Sequence, residues 1–353
     1  MGVSGPGGAP RRFDRLVGVG GIGSGVFFAL QGRHDLGRNE SRPARLLDVR
    51  DYCKLHIIAH YPAVLLGARL GGHSFHVVPV GRVGADETGR RLRGEMKEAG
   101  MDVRLVREVE DRPTLQSVCF QYPDGTGGNI TTSDSAAATL GPDDVDEAVA
   151  LLDERTLALG APEVPVAARQ RLLEQATIRG AFRAAALTSA EAEEVRASGL
   201  LAHVDLLALN QEEASALGGV PFDAERPGPC LEACAALLSA EGARLVVSAG
   251  HHGTFARAEG GVDRRPAPAV PVASTAGAGD ALLGGILTGI AVGAAFGDAL
   301  ALGMCAAAFS VGSPHTIPEG LTRDALVAFA VTHGFNLPRA LLQRLTEAAA
   351  KTA

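Results

Sequence analysis

Ser274-Thr275-Ala276-Gly277-Ala278-Gly279-Asp280, followed without a break by the apolar run from Ala281 to Phe296, is the stretch whose reading decides the fold. A run of small residues ends on one carboxylate, and a helix-forming segment starts there. Gly277 and Gly279 allow backbone angles that a side chain forbids, so successive N–H groups can converge on one point and form an anion-binding concavity. The helix dipole adds partial positive charge at the same point. An Asp in that place does not bind the anion, but it can take a proton from a hydroxyl attacking a phosphate held there. The pattern points to phosphoryl transfer onto a small alcohol.

The segment resembles the signature of the ribokinase-like sugar kinases, the PfkB carbohydrate kinase family, whose pattern is Asp-Thr-x-Gly-Ala-Gly-Asp before a long helix. Thr275, Gly277, Ala278, Gly279 and Asp280 match, and Ser274 replaces the first Asp. The resemblance implies a ribokinase-like α/β fold, a central, mostly parallel sheet flanked by helices with a small β-strand lid. It also implies an ATP-dependent kinase for a small sugar, sugar derivative or nucleoside. Asp280 would be the base, and the N–H groups of Ala278, Gly279 and Asp280 would stabilise charge on the transferred group. Because the family's first Asp lies near a monovalent-cation site in many members, the neutral Ser274 leaves K⁺ activation doubtful.

Outward from this stretch, Asn210-Gln211-Glu212-Glu213 follows a predicted strand, Val204 to Leu209, and opens a helix. It is similar to the family's Asn-x-x-Glu, which implies that Asn210 and Glu213 orient Mg²⁺ and phosphate, mostly through water. An Asn N-cap with Glu at N3, a capping box, gives the same pattern. Leu245 to Gly253 reads as a buried strand ending in a glycine turn, similar to the family's ATP-contacting turn, and nominates Ser248, Gly250 and Gly253 together with Thr275. His251 and His252 are adjacent on that turn and diverge, so solvated histidines are expected rather than metal ligands. Ala299 to Val311 reads as a second apolar helix and Gly312 to Pro318 as a loop; the resemblance implies that they flank the adenine, which makes Ser310 and His315 candidate neighbours.

The first half departs from the pattern on the acceptor side. Phe13 to Gly21 reads as a buried strand ending in Gly18-Val-Gly20-Gly21-Ile-Gly23, which contains Gly-x-Gly-x-x-Gly. A dinucleotide-binding dehydrogenase would use such glycines with Glu40 on the ribose, but β-prone Val26-Phe27-Phe28 stands where its helix should start. The family resembled here places a sugar-gripping Asp after the first strand, and this chain has Ile22-Gly23-Ser24-Gly25. Strands are expected at Val26 to Leu30 and Arg45 to Val49, then a helix over Ala59 to Leu70 stopped by Gly71-Gly72. Ala68-Arg69-Leu70-Gly71 matches the family, whereas the preceding Gly-Gly and Asn are absent near Ile57-Ile58 and Tyr61-Pro62.

His73 to Val83 reads as a strand, with Asp86 capping a helix over Glu87 to Ala99 closed by Gly100. Thr114 to Gln121 and Asn129 to Thr132 read as strands about a turn, Pro123 to Gly128; the resemblance implies that this hairpin completes the lid and touches the substrate, which makes Gln116 and Asn129 contact candidates. Pro142 to Leu152, Val164 to Gln175 and Ser189 to Ala197 read as helices around a strand at Ala181 to Leu187, and alternating strands and helices imply a parallel sheet covered on both faces.

The 353 residues, 46% hydrophobic and 21% charged, suit one large α/β domain with an appendage. The net charge of −7 comes with no Lys/Arg block, so neither a nucleic-acid nor an anionic-membrane surface is indicated. Five scattered cysteines argue against a disulfide framework. The Gly/Pro-rich start lacks the features of a signal peptide, which leads to a cytoplasmic expectation. Ala281 to Gly297 is uncharged but sits at the short edge of a membrane span, and Gly285, Gly289, Gly293 and Gly297 would share one helical face. The expectation is a helix packed closely on a sheet. The division expected is a flexible 1–12, a kinase domain at 13–333 with lid segments near 24–58 and 112–133 and a nucleotide-binding half near 204–333, and a helical tail at 334–353. Leu341, Leu342 and Leu345 make that tail amphipathic, free to fray or to cover a second subunit in a homodimer. A regulatory nucleotide binder remains the alternative from another class, motivated by the altered acceptor side.

Overall fold

The computed structural model describes residues 12–32, 34–70, 75–123, 127–258 and 261–350. The expected terminal flexibility, the Gly71-Gly72 stop and half of the Pro123 to Gly128 turn fall outside these residues. In chain order the strands are β1 Arg15–Val19, β2 Gly23–Leu30, β3 Ala44–Tyr52, β4 His76–Gly84, β5 Val106–Val109, β6 Leu115–Gln121, β7 Gly127–Thr131, β8 Thr156–Gly160, β9 Phe182–Ala186, β10 Leu206–Asn210, β11 Arg244–Ser248, β12 Thr254–Ala258 and β13 Gly261–Arg265.

Nine strands form one sheet in the order β13-β12-β11-β10-β9-β8-β1-β4-β5. From β11 to β5 every pairing is parallel, and β12 and β13 add an antiparallel edge. Both faces are covered, so the strands are apolar at successive positions rather than alternating. Leu16 faces one core cluster while Val17 and Val19 face the other. The sequence reading missed β8, β12 and β13. Thr156-Leu-Ala-Leu-Gly160 is too short and too uniformly apolar for its period to separate strand from helix.

The first helix runs from Lys54 to Leu65, five residues earlier at each end than expected. Its stop is local: Leu66 is the C-cap and Gly67 follows with φ of +64°. The expected helix after Asp86 is present, and the Asp86 carboxylate accepts the Gly89 N–H at 2.7 Å.

The helix after the organising stretch spans Ala278–Ala291 and ends earlier than the apolar run suggests. Gly293 therefore lies in the turn beyond it, and Gly297 belongs to the next helix, Phe296–Val311. The four glycines do not share a face. Gly285 serves helix–helix packing instead of a sheet contact, since a methyl group there would stand 2.7 Å from the Gly303 Cα. Among the described residues no helix is long and apolar enough to cross a membrane.

The tail helix Arg339–Ala350 is neither frayed nor left for a partner: Leu341 and Leu345 are buried in the chain's own core. Arg344 ties it down by donating to the Gly293 carbonyl at 2.6 Å.

The second sheet, β3-β2-β6-β7, has the small size expected of the lid. The glycines after β1 lead into β2 rather than a helix, which removes the helix N-terminus that a dinucleotide fingerprint requires. Glu40 is held locally by Gly37, Arg42 and His34. The small sheet is clasped to the loop after Phe296–Val311: Thr316 N–H donates to Arg50 O at 3.2 Å, Tyr52 N–H donates to Thr316 Oγ1 at 3.1 Å, and Arg50 N–H donates to His315 Nδ1 at 3.0 Å. His315 is thus a lid anchor and does not line the large cavity at the sheet edge described below.

Candidate active site

The parallel strands end along one edge of the large sheet, where open α/β sheets present their ligand crevice. Asn210 ends β10 and Ser248 ends β11. Above them Gly277 is the N-cap of the Ala278–Ala291 helix, with φ of +78°. A methyl group on Gly277 would approach the Thr316 carbonyl to 2.9 Å, so glycine is needed both for the turn and for the close passage of the loop that clasps the lid.

A cavity of about 950 Å³ opens at this edge. Asn210, Glu213, Ser248, Gly250, Gly253, Thr275, Gly277, Ala278, Gly279 and Asp280 all line it, so ten residues nominated from three separate stretches converge on one space. Ser310 does not line it. That side chain is buried in its helix with its hydroxyl unpaired, one residue before the lining Val311.

The N–H groups at the helix start are not equivalent. Ala278 N–H closes the turn on the Thr275 carbonyl at 3.3 Å, while those of Gly279 and Asp280 have no carbonyl partner among the described residues. The concavity therefore rests on Gly279 and Asp280, a narrower set than the sequence suggested.

Asn210 and Glu213 form the capping box: Glu213 N–H donates to Asn210 Oδ1 and Asn210 N–H donates to Glu213 Oε2, each at 2.8 Å. The other carboxylate oxygen accepts from Lys54 Nζ at 2.7 Å, and Lys54 Nζ also donates to the Leu187 carbonyl at 3.0 Å. The capping-box reading of Asn-x-x-Glu is thus present in full, and the capped helix start also lines the cleft. With these oxygens already occupied, an Mg²⁺ ion fits here through its water shell, not by direct ligation.

Lys54, Glu163 and Asp51 are residues that sequence reasoning missed. Lys54 opens the first helix, and its backbone N–H donates to Glu163 Oε2 at 3.1 Å. Glu163 follows β8 with φ of +71°, in the left-handed region that a side chain seldom adopts. Asp51, near the end of β3, lies across Gly25 of β2, where any Cβ would overlap its carboxylate. The available signal was Lys54 itself, the one cation in an otherwise apolar stretch from Cys53 to Leu55.

Electrostatics join these groups. Burial pushes the Asp280 carboxyl up to about 6, with Lys54 opposing the rise and Glu213 and Asp51 adding to it. Burial likewise raises Glu163 to about 7 and Asp51 to about 6. Burial alone would lower Lys54, yet Asp280, Glu213 and Glu163 hold it above its ordinary value. One ammonium group thus serves several carboxylates with opposed requirements, as at sites tuned for proton transfer.

Residues 63–322 match the family described as pfkB family carbohydrate kinase. The chain belongs to the PfkB family. The fold agrees with solved relatives. Arabidopsis thaliana ribokinase, complexed with ribose and ATP, superposes with a TM-score of 0.71 at 21% identity, covering 90% of this chain and 98% of that one. Giardia lamblia ribokinase gives 0.74 at 15% identity, covering 89% and 99%. Burkholderia thailandensis nucleoside kinase, in complex with inosine, gives 0.70 at 19% identity, covering 91% and 97%. No curated protein matches. The PfkB chain is therefore a carbohydrate kinase by family, with the mixed sheet and separate small sheet of the ribokinases.

Of the acceptor-side candidates, Asn129 lines a second cavity beneath the small sheet. Gln116 is exposed and lines neither cavity. It stands next to Asn129's strand but on the opposite face of the sheet, because the pairings Ser117 with Thr131 and Cys119 with Asn129 put odd-numbered residues of β6 on the Asn129 side.

Proposed function

We propose that this PfkB kinase transfers the γ-phosphoryl group of ATP to a hydroxyl of a small sugar, sugar derivative or nucleoside, with Asp280 as the general base. The observation that carries the proposal is the half-buried Asp280 carboxylate at the N-terminus of the Ala278–Ala291 helix, beside two unpaired N–H groups and within the cleft lined by Asn210, Ser248 and Thr275. Ser248, Gly250, Gly253 and Thr275 hold the nucleotide, and the apolar wall of Val270, Met304, Ala307 and Val311 suits a flat base. Asn210 and Glu213 orient the water shell of Mg²⁺, which when bound offsets phosphate charge.

In the step itself the acceptor oxygen forms a bond to the γ-phosphorus, the bond to the ADP oxygen breaks, and the acceptor proton passes to Asp280. The N–H groups of Gly279 and Asp280 meet the charge on the moving phosphoryl group. Lys54 keeps Asp280 ionised and Glu213 in place. Ser274 Oγ accepts the Ala276 N–H at 3.2 Å and brings no carboxylate to a monovalent cation, so K⁺ has no part in this scheme.

Exposed Val26, Leu46, Val118 and Ile130 lie on the face of the small sheet opposite Asn129 and support a homodimer through the lid.

The test is ADP release together with a phosphorylated product from Mg·ATP and a panel of sugars and nucleosides. Asp280→Asn is expected to lower kcat by roughly 10²- to 10⁴-fold with little change in ATP affinity. Undiminished turnover by that variant would remove Asp280 from the mechanism.

A further inference from the structure

The Gly18-Val-Gly20-Gly21-Ile-Gly23 run opens no helix, and none of its glycines has the positive φ that a turn would require. Space explains them instead. A methyl group on Gly20 would stand 2.8 Å from the Leu55 Cβ, and one on Gly23 would stand 2.8 Å from the Cys53 Sγ, so both admit the start of the first helix. Gly21 admits a different residue. A methyl group there would overlap the Glu163 Cβ and lie 2.8 Å from its Oε2.

Glu163 is fixed on this spot by the backbone. Ala161 N–H donates to the Val19 carbonyl at 2.8 Å and Gly21 N–H donates to the Pro162 carbonyl at 2.9 Å, which carries the pairing of β1 with β8 past the strand ends. Glu163 comes next, with φ of +71°, where glycine is at ease and a side chain is strained. Its carboxylate turns to the first helix, whose Lys54 N–H donates to Glu163 Oε2 at 3.1 Å. That N–H lies in the first turn, where the helix offers no acceptor of its own, and the N-cap residue Cys53 makes no side-chain cap. A Glu 109 positions away therefore fills the place of an N-cap. What the cap positions is Lys54. The ammonium group of this first helical residue reaches Glu213 and the Leu187 carbonyl, and it lines the cleft together with Asp280.

We propose that Glu163 is a positioning residue of this kinase: it caps the first helix from the end of β8, so holding Lys54 in the cleft beside Asp280, and Gly21 is the gap that admits it. This rests on the kinase reading above and adds a residue that acts through Lys54 rather than on the reacting atoms. Accepting the N–H needs only an oxygen lone pair, so a Gln amide serves as well as a carboxylate. A carboxyl that burial raises to about 7 fits that role, because either protonation state keeps an accepting oxygen. Glu163 also lines the smaller cavity beneath the small sheet, which makes direct contact with an acceptor the competing role.

The experiment follows kcat, KM and hydrogen exchange of the Lys54 amide in Glu163→Gln, Glu163→Gly, Gly21→Ala and the Gly21→Ala/Glu163→Gly double variant. Activity is read with Mg·ATP and the panel of sugars and nucleosides above, and the rise in Tm with ATP checks folding. Glycine suits φ of +71°, so Glu163→Gly loses the cap without adding strain, and Gly21→Ala displaces the same carboxylate by an independent route. Each of these two should lose at least tenfold in kcat and show at least tenfold faster exchange at Lys54, with KM for ATP within about twofold of wild type. Glu163→Gln should keep both within about threefold of wild type, and Gly21→Ala should add less than about twofold to Glu163→Gly, because the two changes act on one contact. Unchanged exchange at Lys54 in Glu163→Gly, or a Gln variant as impaired as the Gly one, overturns the proposal. So does a rise confined to KM for the acceptor, which would make Glu163 an acceptor ligand. The expected exchange pattern without phosphorylated product from any acceptor overturns the kinase reading and upholds the cap.

Discussion

Replacing Lys54 with Met tests whether one buried cation governs the whole site. Lys54 Nζ is 2.7 Å from Glu213 Oε1, with side-chain exposures of 22% and 7%, so this pair is well shielded from water. Removing one partner of such a pair leaves an uncompensated charge and costs about 3–5 kcal/mol. Partial exposure of the lysine places the expectation near the lower end, about 3 kcal/mol at pH 8. The pH dependence is the sharper signature. Asp280 at about 6 and Glu163 at about 7 lie above their ordinary values of 3.8 and 4.5, so the native state binds their protons more tightly than the unfolded chain does, and stability falls as pH rises from those ordinary values to 6 and 7. Lys54 stays charged across that window in both states, since its native value is raised above an ordinary value of 10.5. Its loss should push both carboxyls further up and steepen the fall. Urea midpoints of wild type and Lys54→Met at pH 5 and pH 8 provide the assay. The deficit should be markedly larger at pH 8. Equal deficits at the two pH values, or none, would refute the linkage of Lys54 to Asp280 and Glu163.

Two further outcomes follow from the same geometry. Because the proposed base, Asp280, must be ionised, kcat/KM should rise with pH and level off above an apparent value of about 6, which belongs to the coupled Asp280 and Asp51 carboxyls; a plateau extending below pH 4.5 would contradict this. Gly277→Ala forces a side chain into φ of +78° and against Thr316, so it should cost about 1–3 kcal/mol by thermal unfolding and lower kcat/KM at least tenfold. Wild-type kinetics in that variant would show that the turn does not set the position of Asp280.

The sequence by itself determined the side of the site proposed here to hold the nucleotide. Each of its parts is a local rule: a glycine that permits a turn, an Asn that caps a helix three residues before a Glu, a β-rich run that ends in a glycine. Such rules act over a few residues, which is why Asn210, Glu213, Ser248 and Gly277 to Asp280 could be nominated in order and were found lining one cleft. Resemblance from Val204 onward reinforced them, and the PfkB match confirmed the family.

Only the tertiary structure decided the charged cluster around Asp280. Lys54, Asp51 and Glu163 carry no local signature, because their meaning comes from partners 109 to 159 positions away for Lys54 and from a second sheet for Asp51. The helix boundary at Lys54 was misplaced because the run from Leu55 to Leu66 is buried almost throughout and shows no amphipathic period to mark a start. The same holds for β8, whose five residues are all buried. Where both faces of an element are covered, periodicity disappears, and long-range packing alone fixes which side chains meet.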